Sequence, residues 1–467
     1  MTARLQRAAL LVSLACAACC PPAASALPTS LPIDPASAGN VVIEDQPPWE
    51  VQTYETLGDV NGNGLADVAL GIGTKYRTRT FVLLGRRGNA SFRVPLPPSA
   101  GFEITSRRYD LGLFAGAGDV NADGLADLVV AAFEKRDRRN RRGGAYVVFG
   151  RRDHGPVDLD RLGRGGFRIA GRERGSFAGY AVGGAGDVNG DGRSDVILSA
   201  PGFQLAFRTA YVVFGKGTSN TIHLGKLRRN GFEIRGPRRS VVGGAVTGIG
   251  DMNGDGLSDV ALDMSPEALT SFDHYSEYVV FGKRSTSPVS LRRIGGHGIH
   301  LATSRWLDSF DTLDAAGDVN GDGLADLLIG VPDVSLHDDT YGFVVFGSRT
   351  LRSFRLDSLG NRGLRVSGPG ADAESALGAV GDLNADGRSD IAALPPSDGD
   401  GPVFVVFGRT QSGAADMRSL GNGGVQLATG VRSPVTGIGD FNGDRRADVM
   451  LSQNRSPAPD RTLIIFG

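Results

Sequence analysis

A nine-residue pattern, Asp-x-Asn-x-(Asp or Asn)-x-x-x-Asp, occurs seven times, starting at Asp59, Asp119, Asp187, Asp251, Asp318, Asp382 and Asp440. If the chain turns tightly, the side chains at positions 1, 3, 5 and 9 converge on one point, and Gly at position 6 supplies the positive φ for that turn. Hard oxygen donors at this spacing suit Ca²⁺, whereas Mg²⁺ demands stricter octahedral geometry and retained water. The candidate ligands are Asp59, Asn61, Asn63 and Asp67; Asp119, Asn121, Asp123 and Asp127; Asp187, Asn189, Asp191 and Asp195; Asp251, Asn253, Asp255 and Asp259; Asp318, Asn320, Asp322 and Asp326; Asp382, Asn384, Asp386 and Asp390; and Asp440, Asn442, Asp444 and Asp448. By analogy with the first half of an EF-hand loop, a backbone carbonyl such as that of Arg193 would complete the shell. The competing reading is a set of metal-free turns in which Asp and Asn bond their own backbone. Recurrence in register favours up to seven Ca²⁺ sites. The first and seventh are the doubtful ones, because Asn63 removes a charge and Arg445 stands where Gly is expected.

The elements that must position these loops repeat with them, at spacings of 60, 68, 64, 67, 64 and 58 residues. Each loop is followed by an apolar, β-branched run and then a strand ending in Gly, as in Tyr146 to Gly150 and Tyr211 to Gly215. Each is preceded by a short strand opened by Gly, as in Gly101-Phe102-Glu103-Ile104 and Gly166-Phe167-Arg168-Ile169. Short alternating strands with Gly-rich turns predict an all-β protein. About four strands in about 60 residues is the size of a propeller blade, and seven blades close into a ring. The chain opens with an outer-strand motif and ends with the strand that should lie beside it. Val41 to Ile43 is therefore predicted to pair with Leu463 to Phe466.

These residues resemble the FG-GAP repeats of the integrin α-subunit N-terminal β-propeller, found also in exported bacterial proteins. The clearest copy is Gly-Asp-Val-Asn-Gly-Asp-Gly-Arg-Ser-Asp at 186–195, followed by Ser199-Ala200-Pro201 and Tyr211-Val212-Val213-Phe214-Gly215. The resemblance covers residues 39–467. It implies a seven-bladed propeller with ligand bound on the face opposite the Asp loops. The chain departs from integrins in having no Arg-Gly-Asp tripeptide, and no inserted, leg or anchor segment is expected.

Of the 467 residues, 22% are charged and 40% hydrophobic, which is a globular composition. Length alone suggests about three domains, but the repeats make one body of residues 39–467. Arg4, Arg7 and the apolar run Ala8 to Ala18 read as a signal peptide, 1–26, cleaved before Leu27 and followed by a linker, 27–38. Lipid attachment at Cys19 is the lesser alternative. Cys16, Cys19 and Cys20 are the only cysteines, so the mature chain would have no disulfide, no thiol catalysis and no Cys-bound zinc. No run reaches the roughly 20 apolar residues of a membrane span. A secreted, periplasmic or cell-surface protein, soluble and monomeric, is expected. Without the leader the chain has 48 basic and 51 acidic residues, 20 of the acids lying in the Asp loops. Full Ca²⁺ loading would bring the net charge to about +11.

If the Asp loops join strands one and two of each blade, the opposite face carries the other connections. They contain Arg107, Arg108, Tyr109, Arg172, Arg174, Arg238, Arg239, Trp49 and Trp306. Arg beside aromatic rings suits an anionic polysaccharide or an acidic protein surface, although Arg also simply solvates loops. The stretch from Asp263 to Glu277 adds acids, so a protein partner of mixed charge is also expected. His297 and His300, three apart at a strand start, would fall on opposite faces and share no metal. There is no Gly-x-Ser-x-Gly elbow or Walker-type loop. The expected function is therefore binding or adhesion and not catalysis, with a carbohydrate-active hydrolase or lyase as the alternative; a nucleic-acid partner is not expected.

Overall fold

The computed structural model describes residues 40–45, 50–74, 77–135, 142–202, 208–237, 240–266, 276–302, 312–330, 340–368, 376–394, 401–431, 435–453 and 460–467. Strand follows strand, with only single-turn 3-10 helices between them among the described residues. They form seven blades. The third shows the plan: Val182–Gly186 innermost, then Asp195–Ala200, Thr209–Val213 and Gly231–Arg235 outermost, all antiparallel.

The seventh blade is made from both ends of the chain. Thr436–Gly439, Asp448–Gln453 and Arg461–Ile465 are followed in space by Asn40–Glu44. Val41 lies opposite Ile464 and Val42 opposite Leu463, so the predicted closure is present, with Val41 to Ile43 paired to Thr462 to Ile464 and Phe466 just beyond the strand.

The core is divided among the blade interfaces. Seven apolar clusters lie one between each neighbouring pair, for instance Val196, Leu198, Tyr211 and Val213 of blade three against Val129, Ala131, Val147 and Ile169 of blade two. Because the middle strands are covered on both faces, Asp195–Ala200 and Thr209–Val213 are buried at every residue. Alternation survives only toward the outer strand, as in the partly exposed Glu233 and exposed Arg235 of Gly231–Arg235. The predicted period of two is thus overridden in the middle of each blade, as in any sheet packed on both sides.

A fifth, short strand that the sequence reading did not find lies parallel to the outer edge of most blades. Val157–Asp158, from the second blade, pairs with the first blade's Gly101–Thr105. Ile222–His223, Val289–Ser290, Phe354–Arg355 and Gly413–Asp416 do the same for blades two to five, and Ala90–Arg93 for blade seven. Each of blades one to six thereby clamps its predecessor, blade one clamping blade seven.

The Phe-Gly pair lies just beyond the third strand and not within it: Thr209–Val213 ends before Phe214 and Gly215. The Gly215 N–H leaves the sheet ladder and donates to Asp195 Oδ1 at 2.8 Å. A Cβ on Gly215 would sit 2.4 Å from the Ser194 carbonyl oxygen and 2.8 Å from that of Val120, both backbone atoms. Gly215→Ala should therefore cost about 2–3 kcal/mol through overpacking, read as a lower urea midpoint at unchanged slope. An unchanged midpoint would show that this corner tolerates a side chain.

Candidate metal centres

The nine-residue loops join the innermost strand of each blade to the second, so all seven lie on one face. The last Asp of each is the first residue of the second strand and is fully buried. In the third loop, Asp195 Oδ2 accepts from the Val188 N–H at 3.0 Å and Oδ1 from Gly215 at 2.8 Å. The same two bonds recur at Asp67, Asp127, Asp259, Asp326, Asp390 and Asp448. This carboxylate ties the loop to the Phe-Gly corner.

The first Asp organises the turn. Asp187 Oδ1 accepts from the N–H groups of Gly190 and Asp191 at 2.7 and 3.0 Å, and Oδ2 accepts from Gly192 at 2.8 Å. Asp191 Oδ1 accepts from the Arg193 N–H at 3.0 Å. Position 6 is left-handed, φ +82° to +88° at the six glycines and +74° at Arg445, which keeps the loop intact, its N–H 2.9 Å from Asp440 Oδ2. Position 4 is left-handed too, even where it is Ala122 or Ala385. Reading the sequence missed this requirement because those alanines interrupt the run of glycines.

The Asn side chain takes two arrangements. Asn61 and Asn189 donate to the buried Asp67 and Asp195. Asn121, Asn253, Asn320, Asn384 and Asn442 instead donate to Asp123, Asp255, Asp322, Asp386 and Asp444 at 2.9–3.1 Å. Asn63 donates to the Gly85 carbonyl at 3.2 Å, and its Oδ1 accepts from Leu65.

The loops also join one blade to the next. The N–H at position 8 donates to the position 1 carbonyl of the preceding loop: Ala126 to Asp59, Ser194 to Asp119, Ser258 to Asp187, Ala325 to Asp251, Ser389 to Asp318, Ala447 to Asp382 and Ala66 to Asp440. These seven bonds, 2.9–3.3 Å long, close a circle.

The side chains thus satisfy their own loops, as metal-free turns would, and among the described residues no three His, Cys, Asp or Glu side chains stand as a ready metal group. The donor set nevertheless fits a hard dication. Asn121 Oδ1 is buried without a hydrogen-bond donor. Burial pushes Asp195 up to about 7 against the pull of the Gly215 and Val188 N–H groups, and the charges of Asp191 and Asp187 raise it further. Asp127, Asp259, Asp326 and Asp390 are raised to about 7 in the same way, each with both other loop aspartates contributing. In the first loop only Asp59 adds to Asp67, because position 5 is Asn63. A cation would relieve this crowding.

On the opposite face, Arg107 and Arg108 are exposed in a turn held by Asp160, which accepts from the Arg107 N–H at 2.8 Å and from Ser106 Oγ at 3.1 Å. Tyr109 is not a surface residue: it is buried between blades one and two, edge-on to Tyr146 at 5.7 Å. Arg172 and Arg174 are exposed. Arg172, Glu173, His223, Gly225 and Lys226 line an open groove there. Trp49, Trp306, Arg238 and Arg239 lie outside the described residues. His300 is stacked on Tyr278 at 4.6 Å, while His297 ends a 3-10 turn.

Asp263 and Glu277 are not loop acids. They face each other as register partners on Asp259–Pro266 and Ser276–Val280, within the sheet of blade four. Glu277 is fully buried, and neither carboxyl oxygen has a hydrogen-bond partner. Burial, with the Asp263 charge adding, holds its pKa well above the ordinary value.

Residues 178–219 and 312–345 match the FG-GAP repeat family. The chain is 29% identical over 157 residues to human integrin alpha-7, about 33% of this chain and 13% of that protein. It is 38% identical over 95 residues to Drosophila melanogaster integrin alpha-PS5 and 32% over 106 to integrin alpha-PS3, covering 20% and 22% of this chain and 9% of each relative. The protein is therefore a seven-bladed β-propeller that matches the FG-GAP repeat in two segments and is similar over part of its length to integrin α-subunits. It spans roughly a tenth of the curated relatives it matches.

Two substitutions test the local energetics. Arg445→Gly relieves a side chain in the left-handed region and should stabilise the protein by about 1 kcal/mol, seen as a higher urea midpoint; a lower one would mean the arginine is compensated elsewhere. Glu277→Gln should stabilise by ~1–3 kcal/mol near neutral pH. The folded protein holds the Glu277 proton above the ordinary carboxyl range while the unfolded chain releases it, so stability falls as pH rises through that interval. The gain should therefore shrink toward pH 4 in melting curves, and a pH-independent gain would contradict this origin.

Proposed function

We propose that this protein is an exported, Ca²⁺-binding propeller that works as a binding module and not as an enzyme. The observation that carries the reading is the gathering of seven carboxylate-rich loops, joined in a closed circle, on one face. Asp and Asn at positions 1, 3, 5 and 9 would hold the ion, which would neutralise the crowded carboxylates and brace the circle. The similarity to integrin α-subunits supports binding over catalysis. Among the described residues no helix is long and apolar enough to cross a membrane, and the leader read from residues 1–26 supports export.

The partner would be an extracellular protein or an anionic polysaccharide, taken on the face away from the loops. The groove of Arg172, His223 and Lys226, flanked by Arg174, holds one acid, Glu173, 3.9 Å from Arg172 Nε, and the excess of basic groups supports an anionic group there. Trp49, Trp306, Arg238 and Arg239 belong to the same proposal by their place in the sequence.

If each site has the roughly 0.1–1 mM affinity of extracellular modules, 1 mM Ca²⁺ contributes about 0.4–1.4 kcal/mol per site. EDTA should then lower the melting temperature of residues 27–467 by roughly 5 °C or more, and a change within a degree or two would remove Ca²⁺ from the account. A glycan array probed in millimolar Ca²⁺ and in EDTA tests the partner. Saturable binding to acidic glycans, weakened by Arg172→Ala and Lys226→Ala, is the expected result for a polysaccharide. Silence in both conditions would assign the face to a protein, and release of unsaturated or reducing products would make it an enzyme.

A further inference from the structure

The seam between blades six and seven differs from the others. Five clamps share one pattern: Val157-Asp158-Leu159-Asp160-Arg161-Leu162 and the stretches starting at Ile222, Val289, Phe354 and Ala415 have apolar residues at their first, third and sixth places. A 3-10 turn begins at the third place in each. The glycine that opens the outer strand of the same blade follows nine residues after the first place, at Gly166, Gly231, Gly298, Gly363 and Gly424. The first apolar residue always lies opposite the fourth residue of the preceding blade's outer strand: Val157 opposite Ile104, Ile222 opposite Ile169, Val289 opposite Ile234, Phe354 opposite Leu301 and Ala415 opposite Val366.

Blade six has no such clamp among the described residues. Its clamp would come from blade seven, between the third strand, Arg461–Ile465, and the fourth, Asn40–Glu44, which is where the two chain ends meet. The other six interface clusters contain clamp side chains, such as Val157 and Leu159 or Ile222 and Leu224, and the one between blades six and seven contains none. An apolar pocket stands at this seam, lined by Leu383, Phe407, Val425, Leu427, Val449 and Ile465.

The sequence just before Asn40 supplies an occupant. Asn40 lies opposite Ile465 as Gly166 lies opposite Val148, so it occupies the opening place of the outer strand. Nine residues earlier stands Leu31, and Leu31-Pro32-Ile33-Asp34-Pro35-Ala36 has apolar residues at places one, three and six. Asp34 stands where the blade-two clamp has Asp160. We propose that Leu31 to Ala36 docks parallel to the outer strand of blade six, Leu31 opposite Leu427, with Ile33 and Ala36 turned to the apolar pocket. The N-terminal segment would then complete two blades, strand four of the seventh and the clamp of the sixth. Cleavage before Leu27 would leave it in the mature chain.

Residues 27–467 contain no cysteine, so a single engineered pair reports the contact. Under mild oxidation, Leu31→Cys/Leu427→Cys should form an intramolecular disulfide, found as linked peptides by mass spectrometry. Leu31→Cys/Val366→Cys, which places the second thiol at the equivalent position of blade five, should not. Ile33→Asp should lower the melting temperature by about 2 °C or more, and Ile33→Leu should not. Absence of the first disulfide, equal linkage in both pairs, or an Ile33→Asp protein that melts like its parent would each overturn the proposal. A disulfide found only between two chains would also overturn it, by assigning the pocket to the segment of a second copy.

Discussion

The structure depends on a buried carboxylate that takes two backbone N–H groups. In each blade the last Asp of the loop binds the loop's second residue on one side and, on the other, the glycine that follows the third strand, part of a Phe-Gly pair in six blades and of Leu84-Gly85 in the first. A buried, unpaired carboxylate would be costly, and two well-placed donors offset that cost while fixing the direction of the chain. With the loop held in this way, its first residue presents a carbonyl outward and its eighth presents an N–H to the preceding blade. Seven such donations close the circle. Blades that share no continuous core are thus joined by polar bonds on one face and by apolar clusters along their flanks.

That division explains how the two faces can differ. The face with the loops repeats the two bonds to the buried Asp and the bond between neighbouring loops seven times, and a side chain that breaks the pattern has to adopt the backbone the circle demands. Arg445 does so in the left-handed region, as do Ala122 and Ala385. The other face carries connections that take no part in the circle, and their residues are free to differ from blade to blade. Arg172 with Lys226 on one rim and Arg107 with Arg108 on another are examples.

Much of this was legible in the sequence because the determinants are local and repeated. The Asp spacing revealed the number of blades, and the Gly-opened outer strand placed Val41 beside Ile464. What escaped was set by contacts between blades. The clamps are mostly two residues long, too short to show as strands, although their fixed distance from the next Gly is visible once known. Tyr109 sits next to two exposed arginines and reads as part of a basic loop, but the strand it begins turns it into the interface with Tyr146. Asp263 and Glu277 flank a polar stretch and read as surface acids, whereas strand register sets them face to face inside blade four.

Ring closure is the remaining constraint. A linear repeat can end in a capping unit, but a ring must join its last blade to its first. Here the junction is spread over both ends: three strands from the C-terminal side, one from the N-terminal side, and a clamp, Ala90–Arg93, reaching back from blade one. Separating the two ends would therefore uncover apolar strand edges on both sides of blade seven. The same geometry makes blade six the neighbour whose outer edge depends on what the chain does before Asn40. A segment there with the clamp spacing would tie the N-terminal strand to both blades at once, so that loss of either contact alone would leave the ring closed.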